Sequence, residues 1–136
     1  MRTFYIFKIS DEFKSLTKDN PYNLFKTFEQ IYNFNKRDIF LAYDLFFQVA
    51  TPFDKKNLNL NIFDHNRHNN NYTKFNNIHI INNYYTDEKT ELTINNSYLK
   101  LKTTVIAPAF FKDIKNNNIF VCDFQNKDYF WLESLL

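Results

Sequence analysis

Glycine is absent from all 136 residues of this chain. A phosphate-cradling P-loop, a dinucleotide fingerprint and a Gly-flanked nucleophile elbow all need glycine, because backbone there closely approaches a ligand or a neighbouring element. None of these can be written from this sequence in its usual form. Positive-φ positions are expected to fall to Asn or Asp, which tolerate that region better than other residues carrying a Cβ. Asn95-Asn96, Asn116-Asn117-Asn118 and Asn126 stand where turns are wanted. Cysteine occurs once, which leaves no internal disulfide or Cys-based zinc site and agrees with a reducing compartment. No basic-then-apolar leader follows Met1, and no apolar run approaches the roughly 18–20 residues of a membrane span. The expectation is a soluble, cytoplasmic protein with no membrane partner.

Charge of one sign is also lacking. Lys and Arg number 17 against 15 Asp and Glu, a net charge of +2, and the pI is 8.5. A dedicated nucleic-acid binder usually has a pI above about 9 with its cations on one face. Here lysines are scattered among acids, which reads as a mixed solvated surface.

Apolar residues are plentiful. A hydrophobic content of 44% suffices for one core, and the length suits a single domain over 1–136. Aromatics make up 20% of the chain, with 17 Phe, more than such a core normally needs. Part of that excess is a drift toward Phe, Tyr, Asn, Ile and Lys together; the rest predicts exposed aromatic patches and hence a partner.

Residues 3–9, TFYIFKI, read as an opening strand. Ser10 or Asp11 caps a short helix over DEFKSLT. Asn20 as N-cap and Pro21 at N1 start a second helix, with Leu24, Phe25, Phe28, Ile31 and Tyr32 on one face. A third covers 36–50, with Ile39, Tyr43, Phe46, Phe47 and Ala50 on an inward stripe, and stops at Pro52. NLNLNIF (57–63) alternates like a strand but also fits a short helix, and the polar run 64–77 is expected to be a mobile loop. IHII (78–81), TELTI (90–94) and YLKLKTT (98–104) read as strands, the last two joined by Asn95-Asn96-Ser97 as a hairpin. APAFFKDIKN (107–116) reads as a short helix with Phe110, Phe111 and Ile114 inward. IFVCDF and YFWL pair around Gln125–Asp128, with Phe124 and Trp131 on the inner face. The fold class is α/β: a single two-layer domain with a mixed, mostly antiparallel sheet and helices packed on it.

Candidate chemistry is sparse. His65 and His68 sit in H-x-x-H beside Asp64, but a metal site needs a third ligand and an ordered frame, so solvated loop histidines are favoured. His79 lies in a strand with no obvious orienter. Cys122 reads as a small buried hydrophobe, since nothing nearby would lower its pKa. Asp123 could act as a base, yet no nucleophile or second carboxylate is placed near it by sequence. IFVCDF carries aromatics but neither the Gly nor the basic residues of an RNA-binding strand. No catalytic residue, metal or cofactor is assigned.

The tail DFQNKDYFWL resembles the closing signature of the SirA family, the sporulation inhibitors of replication, which end in Asp-Phe, a short polar turn and Tyr-Gly-Trp-Leu. Asp123, Phe124, Tyr129, Trp131 and Leu132 match, and Phe130 stands in place of the Gly. FYIFKISDEF looks like the family's aromatic opening strand followed by acids and a Phe, and Phe110-Phe111 fall where the family has a paired Phe. The resemblance implies a non-enzymatic monomeric inhibitor that acts by contact with the N-terminal domain of the replication initiator DnaA. It places the contact on Phe13, on Thr17 where the family tends to carry an aromatic, and on Leu45 and Gln48 of the third helix; in the sequence, Lys14 beside Phe13 gives that patch a charged rim. A small nucleic-acid-binding or nucleic-acid-processing protein, suggested by mild basicity and abundant aromatics, is the alternative.

Overall fold

Phe4 and Ile6 of the opening run point to one side, Tyr5, Phe7 and Ile9 to the other, and both sides are covered. That is why the run is almost continuously apolar rather than alternating. It forms strand β1 (Arg2–Ile9) at the heart of the computed structural model, which describes residues 1–34 and 36–135. After it come helices α1 (Asp11–Thr17), α2 (Pro21–Tyr32) and α3 (Ile39–Val49), the short strand β2 (Ala50–Thr51) and helix α4 (Lys55–Asn66). Strands β3 (Tyr72–Phe75), β4 (Ile78–Asn83), β5 (Glu88–Ile94) and β6 (Leu99–Thr103) follow. A 3-10 turn at Ala109–Lys112, strands β7 (Ile119–Asp123) and β8 (Asp128–Trp131) and helix α5 (Leu132–Leu135) complete the order.

The eight strands form one sheet in the order β3-β4-β5-β6-β1-β7-β8, with β2 paired to the end of β1. Every pairing among the described residues is antiparallel, so no strand supplies the parallel component a mixed sheet would have. The α/β expectation holds, with helices on both faces. One face buries Phe4, Leu92 and Val121 against Ile62 of α4, the Phe110-Phe111 pair and Leu132. The other buries Phe7, Phe120 and Cys122 against Leu24, Phe25 and Phe28 of α2 and Phe46 and Val49 of α3.

The start of α2 and the Asn95–Ser97 hairpin lie where the sequence places them. Several expectations are corrected. The run 57–63, which its pattern leaves open between strand and helix, is helical, and the helix continues into the supposed loop: Asp54 accepts from the Asn57 amide to start α4, and Leu58 and Ile62, four apart, face the core. Residues 72–75 are a strand, because Tyr72 enters that core and the backbone pairs with β4. The α3 stripe is rotated: Phe46, Val49 and Ala50 are buried, whereas Ile39, Tyr43 and Phe47 are exposed. On α2, Tyr32 at the C-terminal end is exposed as well. Positive φ occurs at Asn76 and Asp87, as an Asn/Asp role requires, but also at Lys127 and at none of the asparagines singled out above.

Candidate functional site

Helix α1 starts where Ser10 Oγ accepts from the Phe13 amide at 3.4 Å, and Asp11 and Glu12 in the first turn suit the positive end of the helix dipole. Phe13 is half-buried, its inner side against the α2/α3 core. Thr17 lies one turn on, also half-buried, and its Oγ1 donates to the Phe13 carbonyl. These two residues share a helix face as expected. The Ser10 amide donates to the Val49 carbonyl at 3.1 Å, which fastens the start of α1 to the end of α3. On α3, Leu45 is half-buried and Gln48 exposed. Among the described residues no side-chain hydrogen bond or ion pair joins Leu45 or Gln48 to α1; the two helices are held through backbone.

Lys14 is not a free rim charge. Its ammonium lies 2.9 Å from Glu133 Oε1, donates to the Asn117 carbonyl and sits 5.8 Å over the Trp131 ring. Asn118 Nδ2 reaches Asp11 at 2.6 Å. The footing of α1 is therefore built from the turn before β7 and from the tail.

The tail is pinned along its length. Arg2 bridges Asp123 at 3.1 Å and Asp128 at 2.9 Å across the end of the β7–β8 hairpin. Asn126 donates to both Asp123 oxygens, so Asp123 organises a turn rather than facing a substrate. Burial raises the Asp123 pKa, but the hydrogen bonds from Asn126 and Arg2 outweigh it and leave the carboxyl below its ordinary range. Lys127, in the left-handed conformation, pairs with Glu29 of α2, which also binds Lys26 at 3.1 Å. Hydrogen bonds from Lys127 and then Lys26 hold Glu29 below the usual carboxylate range. Phe124 stacks on Tyr32 at 4.6 Å and Trp131 meets Phe120 edge-on at 5.0 Å, both on the inner face.

The chemical candidates are engaged in the fold. Burial, reinforced by Glu29, pushes the Cys122 thiol well up. His79 does have orienters: the Tyr72 hydroxyl donates to Nδ1 and Nε2 donates to Asn59 Oδ1, each at 2.7 Å. Burial, then the nearby Lys74, pulls this imidazole down to about 4. His65 belongs to α4, not a loop, and lies 3.0 Å from Asp113. Among the described residues no group of three His, Cys, Asp or Glu is placed to hold a metal ion.

An aromatic surface is exposed on α3, made of Tyr43 and Phe47 from the stripe expected to face inward and of Phe40 outside that stripe. Phe40 is 81% exposed and Phe47 55%, with Tyr43 stacked on Phe47 at 6.3 Å. The signal was present, since only Asp44 and Gln48 interrupt IFLAYDLFFQV. A helix apolar all round does not announce which side is buried.

The family model of the sporulation inhibitor of replication protein SirA matches residues 2–135. The chain belongs to the SirA family. No curated protein matches it in sequence. The three stretches that carry the SirA resemblance meet around one ring: Phe4 of the opening strand lies 6.1 Å from Phe111 of the paired Phe and 6.1 Å from Phe130 of the tail. Phe130 has no positive φ, so a residue with a Cβ fits there without strain, and its ring fills the space beside Phe111. The SirA signature thus fixes the core and, through Trp131, supports the base of α1, where Glu133 just beyond it pairs with Lys14. Among the described residues no helix is long and apolar enough to cross a membrane.

Proposed function

We propose that this chain inhibits initiation of chromosome replication by binding, in the cytoplasm and as a single-domain monomer, the N-terminal domain of the initiator DnaA, without catalysis. Its membership of the SirA family over residues 2–135 carries the reading. The contact face is Phe13 and Thr17 of α1 with Leu45 and Gln48 of α3, and Lys14 steadies α1 from below. A half-buried aromatic ringed by polar groups is the usual make-up of an interaction hot spot, where one truncation costs about 2 kcal/mol or more. What supports the face is its rigidity: α1 is tied to α3 at Ser10–Val49 and to the tail through Lys14. A preformed surface loses little conformational entropy on binding.

The test is titration calorimetry of wild type, Phe13→Ala and Gln48→Ala against the isolated initiator domain, with circular dichroism as folding control. Wild type binds, Phe13→Ala folds and loses about thirtyfold or more in affinity, and Gln48→Ala is weaker in the same direction. A folded Phe13→Ala that binds like wild type sinks the assigned face. The nucleic-acid alternative is separated by salt: phosphate contacts make affinity fall steeply as salt rises.

A further inference from the structure

A concave basin of about 340 Å³ opens between α2, α3 and the β1 side of the sheet. Its walls include Tyr5, Tyr32, Ala42, Tyr43, Tyr98 and Phe124. The volume falls at the small end of the about 300–1,000 Å³ typical of small-molecule sites. Tyr5 forms the floor, with Tyr32 at 5.3 Å and Tyr98 at 5.9 Å between ring centres. Burial, with the Tyr32 hydroxyl beside it, pushes the Tyr5 phenol up to about 12, so the floor is uncharged at neutral pH.

Tyr98 is shared with a second, polar depression lined by Lys100, Lys102 and Glu91. The Lys100 ammonium lies 5.8 Å over the ring of Tyr5, a residue of the basin wall, which puts the charge beside the basin. Neither Lys100 nor Lys102 forms an ion pair among the described residues, and Glu91, opposite Lys102 in the sheet, leaves this side with one positive charge in excess. An apolar, aromatic-walled body with a cation beside it is complementary to one kind of ligand.

We propose that the basin binds a small amphipathic carboxylate, its hydrocarbon or aromatic part among the tyrosine and phenylalanine rings and its anionic end at Lys100. The site is separate from the contact face above. On α3 the basin is lined by Ile39, Ala42, Tyr43 and Phe46; at about 100° per residue the middle of these four lies opposite Gln48, and Leu45, one turn from Ala42, is outside the lining. The ligand contacts α2, α3 and the sheet at once, so its binding stabilises the packing of the two helices on β1.

The experiment titrates the isotope-labelled protein with decanoate and, separately, with decanol, following backbone amide shifts by NMR. Decanoate saturates at one site, moves the resonances of Ser97, Tyr98, Ala42 and Tyr43, and binds about two- to fivefold more tightly than decanol, the margin of a partly exposed ion pair. Lys100→Gln folds normally and loses that margin. Ala42→Trp, which fills the basin, abolishes binding of both probes while leaving affinity for the initiator domain unchanged. Non-saturating or scattered shifts overturn the proposal, as does a margin that survives Lys100→Gln. Loss of initiator binding in a folded Ala42→Trp also overturns it, because the basin then serves a protein segment and not a small carboxylate. Should Ala42→Trp fail to fold, the shift map and Lys100→Gln still decide.

Discussion

Lys14 Nζ of the first helix lies 2.9 Å from Glu133 Oε1, two residues past Trp131, and the same ammonium sits over the Trp131 ring. The two ends of the chain are thereby joined beneath α1. The only Trp of the protein serves as a core ring and as part of the platform on which that helix stands.

Removing this tie should loosen α1 more than it destabilises the fold. Glu133→Gln is expected to cost under about 1 kcal/mol, the range of a partly exposed pair. Amide hydrogen exchange in residues 11–17 should rise severalfold while exchange in β1 and β7 is unchanged. Uniform exchange across the protein would show that the pair contributes nothing local.

Thr17 occupies the position where the resemblance leads one to expect an aromatic. Thr17→Tyr adds apolar area next to Phe13 and is expected to tighten binding to the initiator domain severalfold, with an unchanged melting temperature. Calorimetry that finds weaker or equal binding would remove Thr17 from the contact face.

Trp131 is 7% exposed and packs on Phe120. Trp131→Ala should cost about 3–5 kcal/mol, as for other buried aromatic truncations, read from chemical denaturation. Wild-type fluorescence should be blue-shifted and poorly quenched by iodide; an emission maximum like that of free tryptophan would place the ring in water.

Acid should destabilise the protein, first through His79 and then, at lower pH, through its depressed carboxylates Glu29 and Asp123. His79 is fully buried, and its folded value of about 4 lies below the ordinary 6.5. Its neutral form is the folded form, so this stability is complete above pH 6.5 and is lost as pH falls toward 4, by up to about 3 kcal/mol. Asp123 is depressed below its ordinary 3.8, and the stability it supplies is lost only as pH falls below that value. Denaturant midpoints measured from pH 7 to pH 3 check this, and His79→Gln should flatten the upper limb alone. An unchanged midpoint between pH 6.5 and 4 would refute the buried neutral imidazole.

Much was legible without coordinates. The opening strand, the Asn20-Pro21 helix start, the Asn95–Ser97 hairpin and the β7–β8 pair each rest on signals within a few residues: β-branched and aromatic runs, a proline at N1, turn-forming asparagines. The missing glycine excluded whole site chemistries, and the tail pointed to the SirA family. What only the tertiary structure decided depends on residues far apart in sequence. Nothing local to α3 tells its Phe46 side from its Phe47 side, because both are apolar and the choice is made by Phe7 and Phe28 across the layer. Residues 57–63 alternate in print, yet the core beneath them accepts Leu58 and Ile62, so the helix wins. Lys14 looks like a free surface cation until the other end of the chain brings Glu133 and Trp131 under it. Sequence periodicity specifies a face only when the opposite side is polar; elsewhere the partner across the core selects it.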